Sequence, residues 1–218
     1  MSLFYVGRSF IISSVANRLI IIQIYRQFSA LFLFAIFCIS RKGIQAIPGT
    51  NTNVPLWILG SSLFGAQLAA MLGLPYAFAS HFAPDHLMQA MENYRDTFKP
   101  SNQLQKPYVL AGVNVIAAET DEEVHYLFTS LQQRFADMAR GARGYMKPPI
   151  DDIEAYWSGP EKIQAQRMLA CSFVGSPKSL RTQLKDFMQE TGADELMVAT
   201  AVYDHKARLK SYELLACI

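Results

Sequence analysis

From residue 54 onward the chain alternates short, unbroken apolar runs with stretches of helical period, and that alternation restricts the fold more than any other feature. Leu56-Trp57-Ile58-Leu59 ends at Gly60 and reads as a buried strand. Ser61 or Ser62 opens a helix that reaches Leu72 and is stopped by Gly73 and Pro75. Tyr76-Ala77-Phe78-Ala79 is a second strand. Pro84 begins a helix whose buried stripe is Leu87, Met91, Tyr94 and Phe98. Residues 108–117 form a third strand. Thr120 and Glu123 make a capping box for a helix with the apolar face Val124, Leu127, Leu131, Phe135 and Met138. A shorter helix covers residues 160–170, and Phe173-Val174-Gly175 is a brief extended link. Ser176-Pro177 caps a helix carrying Leu180, Leu184 and Phe187, closed by Gly192. Residues 196–200 are a fourth strand, and Asp204 caps a last helix with the buried face Leu209, Tyr212 and Leu215.

Strands alternating with helices imply a parallel sheet. The strands are near-continuous apolar runs, as expected when both sheet faces are covered. Four such units are half of an eight-stranded (β/α) barrel, and 218 residues are fewer than the about 250 a whole barrel takes. The expected fold is therefore α/β, an incomplete barrel of about four β/α units with an irregular apolar N-terminal extension. A sheet of four units has two open edges, which invite pairing with another chain, so self-association is expected.

The chain changes character near residue 43, which divides it into an atypical segment 1–43 and a barrel domain 44–218. Residues 1–40 carry Arg8, Arg18 and Arg26 and no acidic residue, and the first carboxylate in the chain is Asp85. The unbroken apolar run 28–39 is shorter than the roughly 20 residues of a spanning helix. Extending it back to residue 19 puts Arg26 near the middle, at about 2.5–3.5 kcal/mol on insertion scales. Membrane association through residues 19–40 is thus the minor reading, a cytoplasmic location the major one. Residues 1–43 read as a poorly specified N-terminus.

Composition excludes some function classes. The chain is 51% hydrophobic and 17% charged, which is globular, and 20 basic residues face 18 acidic ones for a net charge of +2. The basic residues are scattered without interleaved aromatics, so no nucleic-acid partner is expected. Cys38, Cys171 and Cys217 lack CxxC spacing and read as reduced packing thiols. His81 and His86 have no third partner for a metal.

Residues 54–84 read VPLWILGSSLFGAQLAAMLGLPYAFASHFAP. This stretch resembles a signature of the bacterial luciferase-like, flavin-dependent monooxygenases, in the subgroup termed class flavin-dependent oxidoreductases. GVNVIAAET (residues 112–120), FVGSPKSL (173–180) and TGADELMVAT (191–200) are further matches, so the resemblance runs from about residue 44 to the C-terminus. It implies a TIM-type barrel, reduced FMN as cofactor (or a deazaflavin), a flavin reductase as partner, and oxidation of a small organic substrate with O₂. Members of the family have further β/α units before the position of Val54, units that contribute much of the flavin and substrate pockets. The reading is therefore a truncated flavin-dependent monooxygenase, or alternatively a catalytically inactive fragment acting as an association module.

Five residues are candidates for cofactor binding. Gly60, Ser61 and Ser62 follow a strand and open a helix, where unpaired N–H groups and a partial positive charge suit a phosphate. The competing reading makes Ser61 or Ser62 an N-cap alone. Ser80 and His81 follow the next strand on the same end of the sheet, where barrel active sites lie. His81 either contacts flavin or substrate or is a hydrogen-bonded loop histidine. Arg140, Arg143 and Lys147 read as a solvated basic loop or, less simply, as a lid.

Overall fold

The computed structural model describes residues 4–6, 9–12, 20–23, 54–81 and 83–218. Its frame is four parallel strands in chain order across one sheet: β4 (Leu56–Gly60), β5 (Tyr76–Phe78), β6 (Val109–Ala117) and β8 (Glu195–Ala199). Between them run α1 (Leu63–Leu72), a 3-10 turn (Pro84–His86) leading into α2 (Leu87–Thr97), α3 (Asp121–Ala139), α4 (Gly159–Met168) and α5 (Pro177–Thr191). The last helix is α6 (His205–Leu215). Consecutive parallel strands joined through helices form an arc of a (β/α) barrel, as the alternation predicts.

Two features depart from the sequence reading. The segment expected to be an extended link is strand β7 (Ser172–Gly175), which pairs in parallel with the C-terminal half of β6, Asn114 opposite Ser172 and Ala117 opposite Gly175. It can do so because β6 is 9 residues long and β5 occupies only its first three. The unclaimed half of that edge needs partners for its N–H and C=O groups. The edges of the four-strand sheet are also not open. Strand β3 (Ile20–Gln23) pairs in parallel with β4, and β2 (Ser9–Ile12) pairs antiparallel with β8 and with β1 (Phe4–Val6). An edge row of donors and acceptors is satisfied by whatever strand reaches it. The outer edges thereby pass to β1 and β3.

Side chains alternate across the sheet with period two. Ile58, Tyr76, Phe78, Val109 and Ala111 face α1 and α2, packing on Ala66, Ala69 and Ala70 of the first and Leu87, Ala90, Met91 and Tyr94 of the second. Trp57, Ala77 and Leu110 face the other way, with Trp57 edge-on to Tyr108 at 5.7 Å. Further along, Val113, Val115 and Ala117 of β6 pack with Leu180 of α5 and partly buried Leu214 and Leu215 of α6.

The helix ends follow ordinary capping chemistry. Gly73, at φ 62, closes α1 with its N–H on the carbonyls of Ala69 and Ala70. The Thr120 hydroxyl accepts from the Glu123 N–H at 3.2 Å, and Asp204 caps α6 through the Ala207 N–H at 2.8 Å. Two residues assigned to buried faces are exposed: Met138, 44%, in the last turn of α3, and Leu209, 49%, on α6. On α6 Tyr212 is buried as expected, with Ser211 beside it, and Leu215 is partly buried.

Among the described residues no helix is long and apolar enough to cross a membrane. Of the stretch read as a minor membrane candidate, residues 20–23 are strand β3, and the rest, with Cys38, lies outside the described residues.

Candidate functional site

All four barrel strands point the same way, so the residues that follow β4 and β5 share one end of the sheet. At the end of β4 the chain turns through Ser61 and Ser62 into α1. Two glycines approach each other at this turn, at ordinary packing distances. A Cβ on Gly60 would stand 3.6 Å from Gly65 Cα, and one on Gly65 would stand 3.4 Å from the Tyr76 ring. Tyr76 lies beneath, fully buried, and its hydroxyl donates to the Ser62 carbonyl at 3.1 Å. Burial pushes that phenol well above its ordinary range, so it remains a donor. Ser62 is the N-cap by position, yet its side chain makes no bond to the helix, and no acidic residue lies in the first turn. The N-terminal amides of α1 are thus left to an outside acceptor.

At the end of β5, Ser80 is fully buried and its hydroxyl donates to the Gly112 carbonyl at 2.6 Å. Its hydroxyl also meets the Cys171 thiol, which burial pushes up and this contact pulls down, the first effect prevailing. His81 follows. The Asn114 amide donates to the His81 carbonyl and, at 3.1 Å, to the Ser172 hydroxyl. The His81 ring lies over Gly112, its Nδ1 only 2.7 Å from where a Cβ on that glycine would be. Burial pushes the imidazole down to about 4 from an ordinary value near 6.5, so the ring is neutral at physiological pH.

The structure therefore separates the five candidates into two groups. Gly60, Ser61 and Ser62 form an uncapped helix entrance. Ser80 and His81 form a neutral, largely buried cluster with Gly112, Asn114, Cys171 and Ser172, in which His81 and Ser172 are part-exposed. Tyr76 connects the groups, since it supports Ser62 from the strand that leads into Ser80.

Residues 31–195 match the family model described as luciferase-like monooxygenase. The chain belongs to the luciferase-like monooxygenase family. It is 48% identical over 171 residues to the luciferase-like monooxygenase of Escherichia coli strain K12, a match covering 78% of this chain and 51% of that protein. It is 44% identical over 176 residues to the uncharacterized protein YvbT of Bacillus subtilis strain 168, covering 81% and 52%. Among solved structures it resembles apo-MsnO8, with 32% identity and a TM-score of 0.72 over 87% of this chain and 58% of that one. The chain spans about half the length of the curated relatives it matches.

A second polar cluster, unlike the first in character, lies on α3, the loop after it and α4. Arg140 pairs with Glu161 at 2.7 Å and Lys147 with Asp137 at 2.8 Å. The Tyr156 hydroxyl donates to Asp137 at 2.7 Å, and its ring lies 4.7 Å from the Arg140 guanidinium. Bonds from Gln133 to the Pro148 carbonyl and from the Ile150 N–H to Thr129 hold the loop against α3. Arg140 and Lys147 are thus engaged in a strap, and Arg143 is exposed. A cleft of about 820 Å³ lies between α3 and residues 150–153, lined by Glu122, Glu123, His125, Tyr126, Ile150 and Asp151 among others. None of the five candidate residues borders it. Among the described residues no group of His, Cys, Asp and Glu is arranged to hold a metal ion.

Sequence reasoning missed Gly112, Asn114 and Ser172. The signal was present: an asparagine and a glycine inside the apolar run VLAGVNVIA. A buried amide in a strand needs a partner, and a strand glycine marks a close approach.

Proposed function

We propose that this chain carries the phosphate-binding part of a flavin-dependent monooxygenase site, with Gly60, Ser61, Ser62, Ser80 and His81 facing the cofactor. The observation that carries the reading is the α1 entrance. It is a helix N-terminus without side-chain cap or first-turn acid, entered through Gly60, at the end of the sheet where barrel enzymes bind ligands. The donor set fits the phosphate of FMN. The first-turn N–H groups of α1 and the Ser61 and Ser62 hydroxyls would hold it, and Tyr76 fixes the Ser62 carbonyl beneath them. A bound reduced flavin supplies the reaction with O₂. The chain's own residues bind, orient and exclude water. His81 presents a neutral imidazole, able to hydrogen-bond without placing a charge beside the cofactor. The substrate class is a small organic molecule, the partners are a flavin reductase and a second copy through outer strand edges, and the location is cytoplasmic. Family membership supports reduced FMN, with a deazaflavin as the related alternative.

The test is a titration of the purified full chain with reduced FMN and, separately, with reduced riboflavin, under anaerobic conditions. Saturable FMN binding at one site per chain is expected, weakened about tenfold or more by Ser62→Asp, with riboflavin affinity unchanged by that substitution. An aspartate is about as good an N-cap as serine and suits a helix N-terminus, so the fold is retained while the anion is repelled. A folded chain that ignores FMN would sink the proposal and leave an inactive association module as the reading.

A further inference from the structure

We infer that Asn114 and Gly112 are positioning residues that set the location of His81, an inference that rests on the flavin-site reading above only for its functional consequence. The argument begins with one edge of β6. Residues 109–111 of that edge pair with β5, and residues 114–117 pair with β7. Two strands thus share the edge end to end, and a break lies between them. The chain leaving β5 crosses that break as Ser80 and His81, where no ladder holds it.

Side chains take over the ladder's work there. The Ser80 hydroxyl donates to the Gly112 carbonyl, within the break. The Asn114 amide donates to the His81 carbonyl and to Ser172, joining the tail of β5 to the head of β7. Asn114 is 4% exposed. A buried amide is costly unless bonded, and an aliphatic residue would fill the same space more cheaply. What the amide adds is a grip on two segments that share no ladder.

Gly112 sets the ring. With a Cβ there, the new atom would lie 2.7 Å from His81 Nδ1 and 3.3 Å from the Phe78 carbonyl, so any other residue displaces the imidazole. The backbone of His81 is fixed by one residue of β6 and its ring by another two positions earlier. Both lie on the face of β6 that also carries Leu110. His81 owes its neutral state to this burial, and the other titratable member of the cluster, Cys171, is held neutral by burial as well.

The experiment follows the imidazole signals of the chain's four histidines by nitrogen NMR, with His81 assigned by their change in His81→Gln. In the unaltered chain the His81 ring stays neutral at about pH 5.5. In Gly112→Ala and in Asn114→Leu its titration midpoint moves up by about one pH unit or more, and FMN affinity falls about tenfold. Asn114→Ser replaces Asn114→Leu if the latter does not fold. A His81 that is protonated at about pH 5.5 in the unaltered chain, or whose midpoint is unchanged in both variants, overturns the inference. A His81 that shifts in both variants of a chain with no FMN affinity confirms the positioning and overturns the flavin reading alone.

Discussion

The two polar clusters of this molecule are opposites. One, around Asp137, Arg140, Lys147, Tyr156 and Glu161, is ionic, dense in charge and half in solvent. The other, around Ser80, His81, Asn114 and Cys171, is held by hydrogen bonds and is mostly buried, with His81 at its part-buried rim. By eye the first resembles a site. Physically it is the weaker device, because exposed pairs gain little in high dielectric and are screened by salt. The second sits where an unmade hydrogen bond has no water to replace it, so each of its members is held to a geometry. Density of charge marks a strap, and buried neutral polarity marks a place where the chain specifies position.

The comparison can be broken in order of effect. The largest change is expected from Tyr76→Ala beneath the α1 entrance. It removes a fully buried ring and the bond to Ser62, and costs about 3–5 kcal/mol in denaturant unfolding. If the loss is under about 1 kcal/mol, the entrance is not built on Tyr76.

Next comes pH. The folded His81 pKa is near 4 and the unfolded value near 6.5, so the unfolded chain binds the extra proton between them. The stability His81 contributes is complete above about pH 6.5 and is lost as pH falls toward 4. At most it amounts to roughly 3 kcal/mol, by 1.36 kcal/mol per unit. His81→Gln should flatten the unfolding profile in that window, and an unchanged profile would show that the ring is not buried as described.

Smallest is the strap. Arg140→Ala together with Lys147→Met should alter stability the least of the three and leave FMN affinity unchanged. Glu161, held down to about 2 by Arg140 and the Ser158 N–H, confers its share above its ordinary pKa, and that share fades only as pH falls toward 2. Acid unfolding between pH 6.5 and 4 therefore reports on His81, whereas changes nearer pH 2 report on the strap. A large effect of the strap double variant on FMN binding would erase the distinction between the clusters.

Most elements were legible in the sequence because each strand is an apolar run and each helix has a stop: Gly73, Gly192 and the caps at Thr120 and Asp204 sit where the pattern puts them. Ser80 and His81 were legible too, since residues after a parallel strand lie at the ligand end of a barrel. Their partners were not. Gly112 and Asn114 meet them only through the register of β5 on β6, and a period-two pattern does not fix register between two strands apolar on both faces. The strand β7 was read as a link because four residues carry too little pattern to reveal a partner nearly sixty positions back. Met138 and Leu209 were misplaced for a simpler reason. Periodicity names a helix face and says nothing of where the neighbouring layer ends.

Strand β6 is buried along its whole length and has neighbours on both edges. Its amides can reach deuterated solvent only through the largest opening motion the molecule makes, whereas those of the α3 strap exchange through local fraying. The neutral cluster is anchored to that strand by Gly112 and Asn114. A ligand seated against His81 would thus rest on the last part of the protein to come apart, and its protection against exchange would be read along residues 109–117.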